Sequence, residues 1–192
     1  MMRIQKGAPG YIKAQKRKFL VGTIAEFAVV IGLVVLGYVQ TGSRLNLLTV
    51  VAVVGCLPAA KMLVELITLW PHHGIGADVY KEVEEKAPLL LKAYDLVMTG
   101  SGKAMQVDVF VISDHTVYGY TDSQKTDEVK LSSYLKEMLK NNRVEKVTVK
   151  VFHDYTAFLA RAEGMNNIMM VDQSSDRRRE NTIRRLLLTV SI

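Results

Sequence analysis

Two long runs of apolar residues dominate the first part of the chain. The first extends from about Phe19 to Val39 and the second from about Leu45 to Trp70. A helix rises about 1.5 Å per residue, so each run is long enough to cross the hydrocarbon core of a bilayer. The short connection QTGSR favours a turn, and the pattern predicts an antiparallel hairpin of two transmembrane helices over residues 19–70. A cleaved signal peptide is the alternative for the first run, but its apolar stretch is longer than a typical signal core.

Basic residues are concentrated at the N-terminus, and their position predicts the orientation of the hairpin. The net charge is +6, and residues 1–18 hold six basic side chains and no acidic one. Basic flanks are retained in the cytosol, whereas the connection between the runs holds only Arg44. We therefore expect a basic cytosolic tail over residues 1–18, an external loop, and a cytosolic domain over residues 71–192 beside the plasma membrane. Because the excess charge lies in the tail, it does not favour nucleic acid as a partner.

Three charged side chains interrupt the apolar runs, where a charge is costly. Glu26 lies in the first run, and Lys61 and Glu65 lie in the second. In an antiparallel hairpin Glu26 and Lys61 have similar depths and could form an ion pair, while Glu65 is one helical turn from Lys61. We interpret the three as a charge cluster that holds the two helices of the hairpin together. Alternatively, the Lys61 side chain extends to the cytosolic membrane interface. A proton or ion relay in an oligomeric channel or transporter is the functional alternative.

Small residues recur at four-residue spacing in both runs. Such faces allow helices to approach closely, either within the hairpin or between copies in a homo-oligomer. The residues are Ala28, Gly32, Ala52, Gly55, Cys56, Ala59 and Ala60. Cys56 is the single cysteine of the chain, so no intrachain disulfide forms. The partner expected from this part of the sequence is the lipid bilayer, and a homo-oligomer through these faces stays an open alternative to packing within the hairpin.

Residues 71–192 show strand and helix periodicities in turn and predict a small α+β domain with a mixed sheet covered by helices. Residues 105–112 and 117–121 predict a hairpin of two strands, and residues 146–152 a third strand. The alternation of Val107, Val109 and Val111 on one face places Asp108 on the opposite face, in solvent.

Helical periodicity accounts for most of the remaining segments of this domain. Helices are expected over residues 77–86, 126–142 and 155–163, and over a segment that begins at Pro88, includes Met98 and ends at Gly100 and Gly102. Asp154 and Gly164 provide a start and a stop for the helix over 155–163.

The end of the chain allows two interpretations. Residues 168–171 predict a short fourth strand, and Ser175 or Asp176 a cap for a final helix to about Leu188. A terminal strand over residues 186–192 is the alternative.

Candidate chemistry is sparse, and no catalytic residue, metal ligand or cofactor site is predicted. The four histidines, including His72 and His73, lack the spacing of a zinc site. The stretch TGSGK at residues 99–103 follows a predicted helix and precedes a strand, so it is a turn rather than a phosphate-binding loop. An enzyme would require a cleft that gathers scattered residues, of which the candidates are Asp95, Asp108, Asp114 and His153.

A basic patch lies near the C-terminus. It consists of Arg177, Arg178, Arg179, Arg184 and Arg185. The patch is interpreted as a solvated helix start paired with nearby acids, with anionic lipid headgroups as the first functional alternative. Nucleic acid is the second alternative, but no aromatic residues are interleaved for base stacking.

Two stretches carry a resemblance to other proteins. The segment NLLTVVAVVGCLPAAK at residues 46–61 and the segment YIKAQK at residues 11–16 resemble small two-pass membrane proteins of low-GC Gram-positive bacteria. Some members of that uncharacterised group are labelled as similar to O-linked N-acetylglucosamine transferases. The chain has no helical repeat array and is too short for a nucleotide-sugar transferase domain, so the label is not supported and no site residue is transferred.

The function expected from the sequence is that of a membrane-anchored cytosolic module that binds a partner or ligand of unknown specificity. Two alternatives stay open: a membrane-tethered hydrolase or nuclease, and a subunit of an oligomeric channel or transporter.

Overall fold

The computed structural model describes residues 4–43, 46–99, 102–171 and 176–192. It divides into two compact units. We call residues 13–71 the hairpin unit, and residues 4–12 with 72–192 the α+β unit. The predictions that involve Arg44, Gly100 and Ser175 lie outside the described residues.

The hairpin unit contains two long apolar helices. Helix α1 is Tyr11–Thr41 and helix α2 is Leu47–Leu69. Helix α1 begins before the apolar run, so the basic residues from Lys13 to Lys18 form its first turns. Asn46 caps α2 by accepting a hydrogen bond from the Thr49 N–H at 2.9 Å, and α2 continues through Pro58. Both helices are long and apolar enough to cross a membrane.

Small residues of α2 mediate part of the packing within the hairpin unit. Ala52 and Ala59 are buried, and Gly55 lies between them on the same helical face. A Cβ at Gly55 would lie 3.4 Å from the Val30 side chain of α1. By contrast, Gly32 faces open space. Part of the small-residue set of α2 therefore packs within the hairpin.

The α+β unit is a four-stranded mixed sheet between two layers of helices. Its elements in chain order are α3 Ala77–Lys86, β1 Leu91–Met98, β2 Met105–Ser113, β3 Thr116–Tyr120, α4 Glu128–Asn141, β4 Thr148–Phe152, α5 Tyr155–Val171 and α6 Arg177–Val190. The strand order is β1-β2-β3-β4. The pairs β1–β2 and β2–β3 are antiparallel, and the pair β3–β4 is parallel. A small mixed sheet covered by helices was expected, and this expectation is confirmed.

Each face of the sheet carries its own apolar core. Helices α4 and α6 cover the first face, where Leu135, Leu139 and Ile183 pack with Phe110 and Leu96. On the second face, Phe158 and Leu159 of α5 and Val83 of α3 pack against Tyr94 and Val111. Because both faces are covered, a central strand is apolar at nearly every position.

The predicted helix that begins at Pro88 is wrong, because residues 91–98 form strand β1. This strand pairs with β2 from Leu91 opposite Ile112 to Met98 opposite Met105. It is buried on both faces, so it lacks the alternation that marks a half-exposed strand, and a short apolar run of this kind is ambiguous between helix and strand. Pairing with β2 decides in favour of the strand.

Two predictions about helix α5 and the residues after it are also wrong. The helix does not end at Gly164, and residues 168–171 do not form a strand. Helix α5 continues to Val171. Met165, Asn166 and Met169 keep its helical spacing and are buried against the domain, and the Asn166 side chain accepts a hydrogen bond from the Leu89 N–H at 2.9 Å. These contacts outweigh the weak helix propensity of one glycine.

The final segment is helical, as the first of its two interpretations predicts. Asp176 caps α6 by accepting hydrogen bonds from the N–H groups of Arg178 and Arg179. Beyond the helix, Ser191 forms a single bridge with Met98 of β1. The hairpin of β2 and β3, helix α4 and strand β4 are confirmed with small shifts of their ends.

Candidate functional site

Five buried polar side chains gather at one end of the sheet, and we call them the polar cluster. They are Asp95 of β1, Gln106 and Asp108 of β2, and Thr121 and Thr126 of the segment between β3 and α4. A buried polar group must be hydrogen-bonded to offset its desolvation. The partners of these side chains therefore show what the cluster does.

The cluster forms where the alternation of β1 and β2 is interrupted. Asp95 has a φ of +54°, a left-handed conformation that is uncommon outside glycine, asparagine and aspartate. Val107 packs in the first core, whereas Val109 and Val111 pack in the second. The three valines thus do not share one face. The prediction that Asp108 lies in solvent is wrong, since Asp108 is only 4% exposed.

Asp95 joins two segments that are distant in sequence. Its Oδ2 accepts a hydrogen bond from the Gly10 N–H at 2.6 Å, and its Oδ1 accepts one from the Ile75 N–H at 2.7 Å. Gly10 immediately precedes α1, and Ile75 lies in the linker after α2. Bonds from backbone N–H groups to a carboxylate are among the stronger hydrogen bonds. One side chain thus holds both segments to the sheet.

Gln106 holds the same linker at a second point. Its Oε1 accepts a hydrogen bond from the His73 N–H at 3.0 Å, and its Nε2 donates to the His73 carbonyl oxygen at 2.8 Å. The amide also donates to Asp108 Oδ1 at 2.5 Å. The side-chain amide therefore pairs with both backbone groups of one linker residue, His73, as a residue of a neighbouring strand would.

Asp108 connects the linker to the loop after β3. Its Oδ2 accepts a hydrogen bond from the Asp122 N–H at 2.7 Å. Burial raises the pKa of the Asp108 carboxyl, and the negative charges of Asp122 and Asp95 act in the same direction. Hydrogen bonds from the Asp122 N–H and from Gln106 lower this pKa in part, because they stabilise the ionised form.

The loop before α4 completes the network. Thr126 Oγ1 donates to the Gln106 carbonyl oxygen at 2.9 Å. The two ring nitrogens of His153 lie 3.1 Å from the Thr121 carbonyl oxygen and 2.9 Å from the Thr126 carbonyl oxygen. Since carbonyl oxygens only accept hydrogen bonds, the His153 ring acts here as a donor that fixes the loop.

The polar cluster is a hydrogen-bond network that holds backbone segments of the protein in place. Its carboxylates and amide bind backbone groups of the chain itself. Within residues 4–43, 46–99, 102–171 and 176–192, no group of three or more His, Cys, Asp or Glu side chains is arranged to hold a metal ion. Asp114, the fourth enzyme candidate, is involved in a different contact, with its N–H bonded to Glu180 Oε1 at 3.0 Å. Of the four enzyme candidates, Asp95, Asp108 and His153 thus belong to one network at this end of the sheet, and Asp114 lies outside it.

The three charged residues of the apolar helices differ in exposure. Lys61 is exposed, and Glu26 and Glu65 are half-buried. In the described part of the chain, no ion pair joins any two of the three. Thr23 Oγ1 and Glu26 Oε2 are buried without a hydrogen-bond partner, one helical turn apart on α1.

The arginines near the C-terminus are partly engaged by the α+β unit. Arg177 lies 3.3 Å from the buried carboxylate of Glu180, Arg179 donates to the Glu145 carbonyl oxygen, and Arg184 donates to the Lys92 carbonyl oxygen at 3.0 Å. Arg178 and Arg185 are exposed. The apolar stripe of α6 packs in the first core through its buried residues Ile183 and Leu187.

Sequence reasoning missed Gln106, Thr121 and Thr126 as members of the cluster. The available signal was Gln106 two residues before Asp108 in an otherwise apolar strand, because such a pair shares one face.

The chain matches no protein-family model, no curated protein and no solved structure at a significant level.

Proposed function

We propose that this protein is a membrane-anchored interaction module. Helices α1 and α2 cross the plasma membrane as a hairpin, and the α+β unit binds a partner in the cytosol. The N-terminus and the C-terminal domain both lie on the cytosolic side, because the basic residues of the first turns of α1 are retained there.

The exposed apolar surface of the two helices carries this proposal. Leu47, Val39 and Leu57 are 78%, 74% and 71% exposed, and only 11% of the most apolar window of each helix is buried. A core helix of a soluble domain would be largely covered. Contiguous apolar surface of this extent marks a site of contact with lipid or protein, and two adjacent helices of this length fit a bilayer.

The polar cluster supports a role in attachment rather than in catalysis. Asp95 and Gln106 bind the backbone of the segments that lead into α1 and out of α2. These contacts give the α+β unit defined ends where its chain passes to the two helices.

Labelling of single cysteines tests the anchor and its orientation together. In a Cys56→Ala background, which removes the native thiol, we expect Ser43→Cys to react with a membrane-impermeant maleimide added to intact cells. Ser133→Cys on α4 should react only after the membrane is permeabilised. The chain should also stay in the membrane fraction at alkaline pH and leave it only in detergent. Labelling of Ser133→Cys in intact cells, or release of the chain without detergent, would refute the proposal.

A homo-oligomer is a separate proposal. Gly32 of α1 faces open space and Ala28 is exposed, so this face is available to a second copy. The mass of the detergent-solubilised protein tests it: a monomer would exclude both the oligomer and a channel built from it.

A further inference from the structure

Two buried oxygen atoms on helix α1 have no hydrogen-bond partner among the described residues. They are Oγ1 of Thr23, a residue that is only 6% exposed, and Oε2 of Glu26. Other helical threonines, such as Thr68, donate to the carbonyl oxygen one turn earlier, but Thr23 does not. The two residues are three positions apart and therefore lie on the same side of the helix. A buried polar atom without a protein partner indicates a bound water molecule or ion.

The two helices of the hairpin unit pack closely on both sides of this pair of oxygens. One turn before Glu26, a Cβ at Gly22 would overlap the methyl group of Met62 on α2. One turn after Glu26, the Val30 side chain lies 3.4 Å from the position of a Cβ at Gly55. Because residues 22, 26 and 30 follow one another at four-residue spacing, they lie along the face of α1 that contacts α2. A ligand that lies between the two oxygens is therefore small, of the size of an ion or a water molecule.

The charge of Glu26 selects an ion rather than a water molecule. A carboxylate without an opposite charge is costly in hydrocarbon. On α2, the Lys61 side chain is exposed, and Glu65 adds a second acidic group. The nearest basic residue of α1 itself, Lys18, lies more than two helical turns before Glu26. Since no ion pair in the described part of the chain includes Glu26, a bound cation is the species that compensates its charge.

We propose that Glu26 and Thr23 form an intramembrane binding site for one small monovalent cation, either a proton or a sodium ion. The cation neutralises the Glu26 carboxylate, and the Thr23 hydroxyl oxygen is its second ligand. This oxygen accepts a hydrogen bond from the protonated carboxyl group, or it coordinates the sodium ion. One bound cation thereby provides a partner for both buried oxygens. The inference deepens the role proposed above and rests on its transmembrane hairpin.

Labelling with dicyclohexylcarbodiimide tests this site in membranes that contain the full chain. The reagent is apolar, enters the bilayer and reacts with a protonated carboxyl group, and mass spectrometry assigns the stable adduct to a residue. Glu26 as a whole is only half-buried, so the reagent can reach its carboxyl group from the lipid. Labelling is measured over a range of pH, in choline chloride and in the same concentration of sodium chloride. An exposed glutamate has a pKa of about 4.3 and is therefore hardly labelled at neutral pH.

We expect Glu26 to be labelled at neutral pH in the sodium-free medium. If the bound cation is a proton, sodium chloride leaves this labelling unchanged. If the bound cation is sodium, labelling falls as sodium replaces the proton. Glu26→Gln should abolish the adduct, whereas Glu65→Gln, the matched change at the half-buried acidic residue of α2, should retain it.

Thr23→Val tests the second ligand with little change in side-chain volume. Loss of one hydrogen bond should weaken cation binding about three- to tenfold. For a proton this lowers the pH of half-maximal labelling, and for sodium it raises the concentration that gives half-maximal protection. Thr23→Ser keeps the hydroxyl group and should behave like the unmodified chain. Thr68→Val is the control, because the exposed Thr68 hydroxyl donates to the Val64 carbonyl oxygen of its own helix.

Several results would overturn the inference. These are the absence of Glu26 labelling at neutral pH in both media, or a Thr23→Val protein with unchanged titrations. Labelling of Glu26 that appears only in Lys61→Gln would show instead that the carboxylate pairs with Lys61. The cysteine labelling above reads the anchor independently of the carbodiimide. Failure of Glu26 labelling with correct cysteine labelling would therefore remove this inference and leave the membrane-anchored module in place.

Discussion

Substitution of Asp95 by asparagine should loosen the two segments that this side chain holds. Asparagine tolerates the left-handed conformation of residue 95 and preserves its size, so the change isolates the charge and the second acceptor. The new Oδ1 can accept from only one of the two N–H groups, those of Gly10 and Ile75. The other backbone N–H then faces the NH2 group of the asparagine side chain, which is also a hydrogen-bond donor.

The magnitude follows from the two bonds. A buried N–H without a partner costs about 1–3 kcal/mol, and the remaining bond loses about 1 kcal/mol when its acceptor becomes neutral. Asp95 also lies near enough to Asp108 for its charge to act on that carboxyl, and removing this repulsion offsets part of the loss. We expect a net loss of about 2 kcal/mol in the local free energy of opening, which corresponds to amide exchange about 30-fold faster.

Hydrogen exchange of the full chain in detergent, read by mass spectrometry, measures this change. Faster exchange should be confined to peptides that cover residues 8–12 and 72–76, because local opening reports the stability of each segment separately. Asp114→Asn is the matched control. Asp114 also has a positive φ, of +43°, but its carboxylate contacts only the adjacent His115 in the described residues. Unchanged exchange in both segments of the Asp95→Asn protein would refute the role assigned to this carboxylate.

Four further predictions concern the free energy of unfolding, measured with urea and circular dichroism on the full chain in detergent. Gln106→Leu should cost about 2–4 kcal/mol, because it leaves the backbone N–H and carbonyl groups of His73 unpaired, whereas Gln106→Glu should cost less at acidic pH than at neutral pH. Since the folded-state pKa of Asp108 is raised, the folded state binds more protons than the unfolded state between the ordinary aspartate pKa and the raised value. Stability should thus fall as pH rises through that window, and this component should vanish in Asp108→Asn. Gly119→Ala should cost about 1–3 kcal/mol by overpacking, because the new Cβ would lie 2.7 Å from the Phe110 ring. Gly164→Ala in α5, where a Cβ meets nothing within 4 Å, should instead stabilise by about 0.5–1 kcal/mol.

Elements with a clear period and a local cap were predictable from the sequence. The apolar runs of α1 and α2, the helix α4 with its stripe of leucines, and the cap at Asp176 all rest on short-range rules. Strand β1 was not predictable in this way, because its identity depends on its pairing with β2, a contact between residues as distant as Leu91 and Ile112. Local sequence patterns do not show this pairing. Because the strand is buried on both faces, it also lacks the alternation that would have indicated a strand.

The candidate site was less predictable than the fold for the same reason. Asp95 and Asp108 could be singled out as acidic residues in an apolar context, but their partners are backbone N–H groups, which every residue except proline possesses. No sequence feature near Gly10 or Ile75 indicates that the backbone N–H groups of these two residues bind the same carboxylate. The left-handed conformation at Asp95 and the division of the β2 valines between two cores are likewise products of the folded sheet.

The presence of a charged side chain at this position has a structural explanation. A buried carboxylate is costly, and a well-packed apolar residue is often more stabilising than a buried ion. At residue 95, however, the carboxylate accepts hydrogen bonds from the backbone N–H groups of Gly10 and Ile75. Substitution of neighbouring side chains cannot remove these backbone donors. An apolar residue would leave both donors unpaired, at about 1–3 kcal/mol each. A single carboxylate accepts from both, and it thereby fixes the position of each segment along the sheet. The acidity of residue 95 is thus explained by the need to join two segments to one strand.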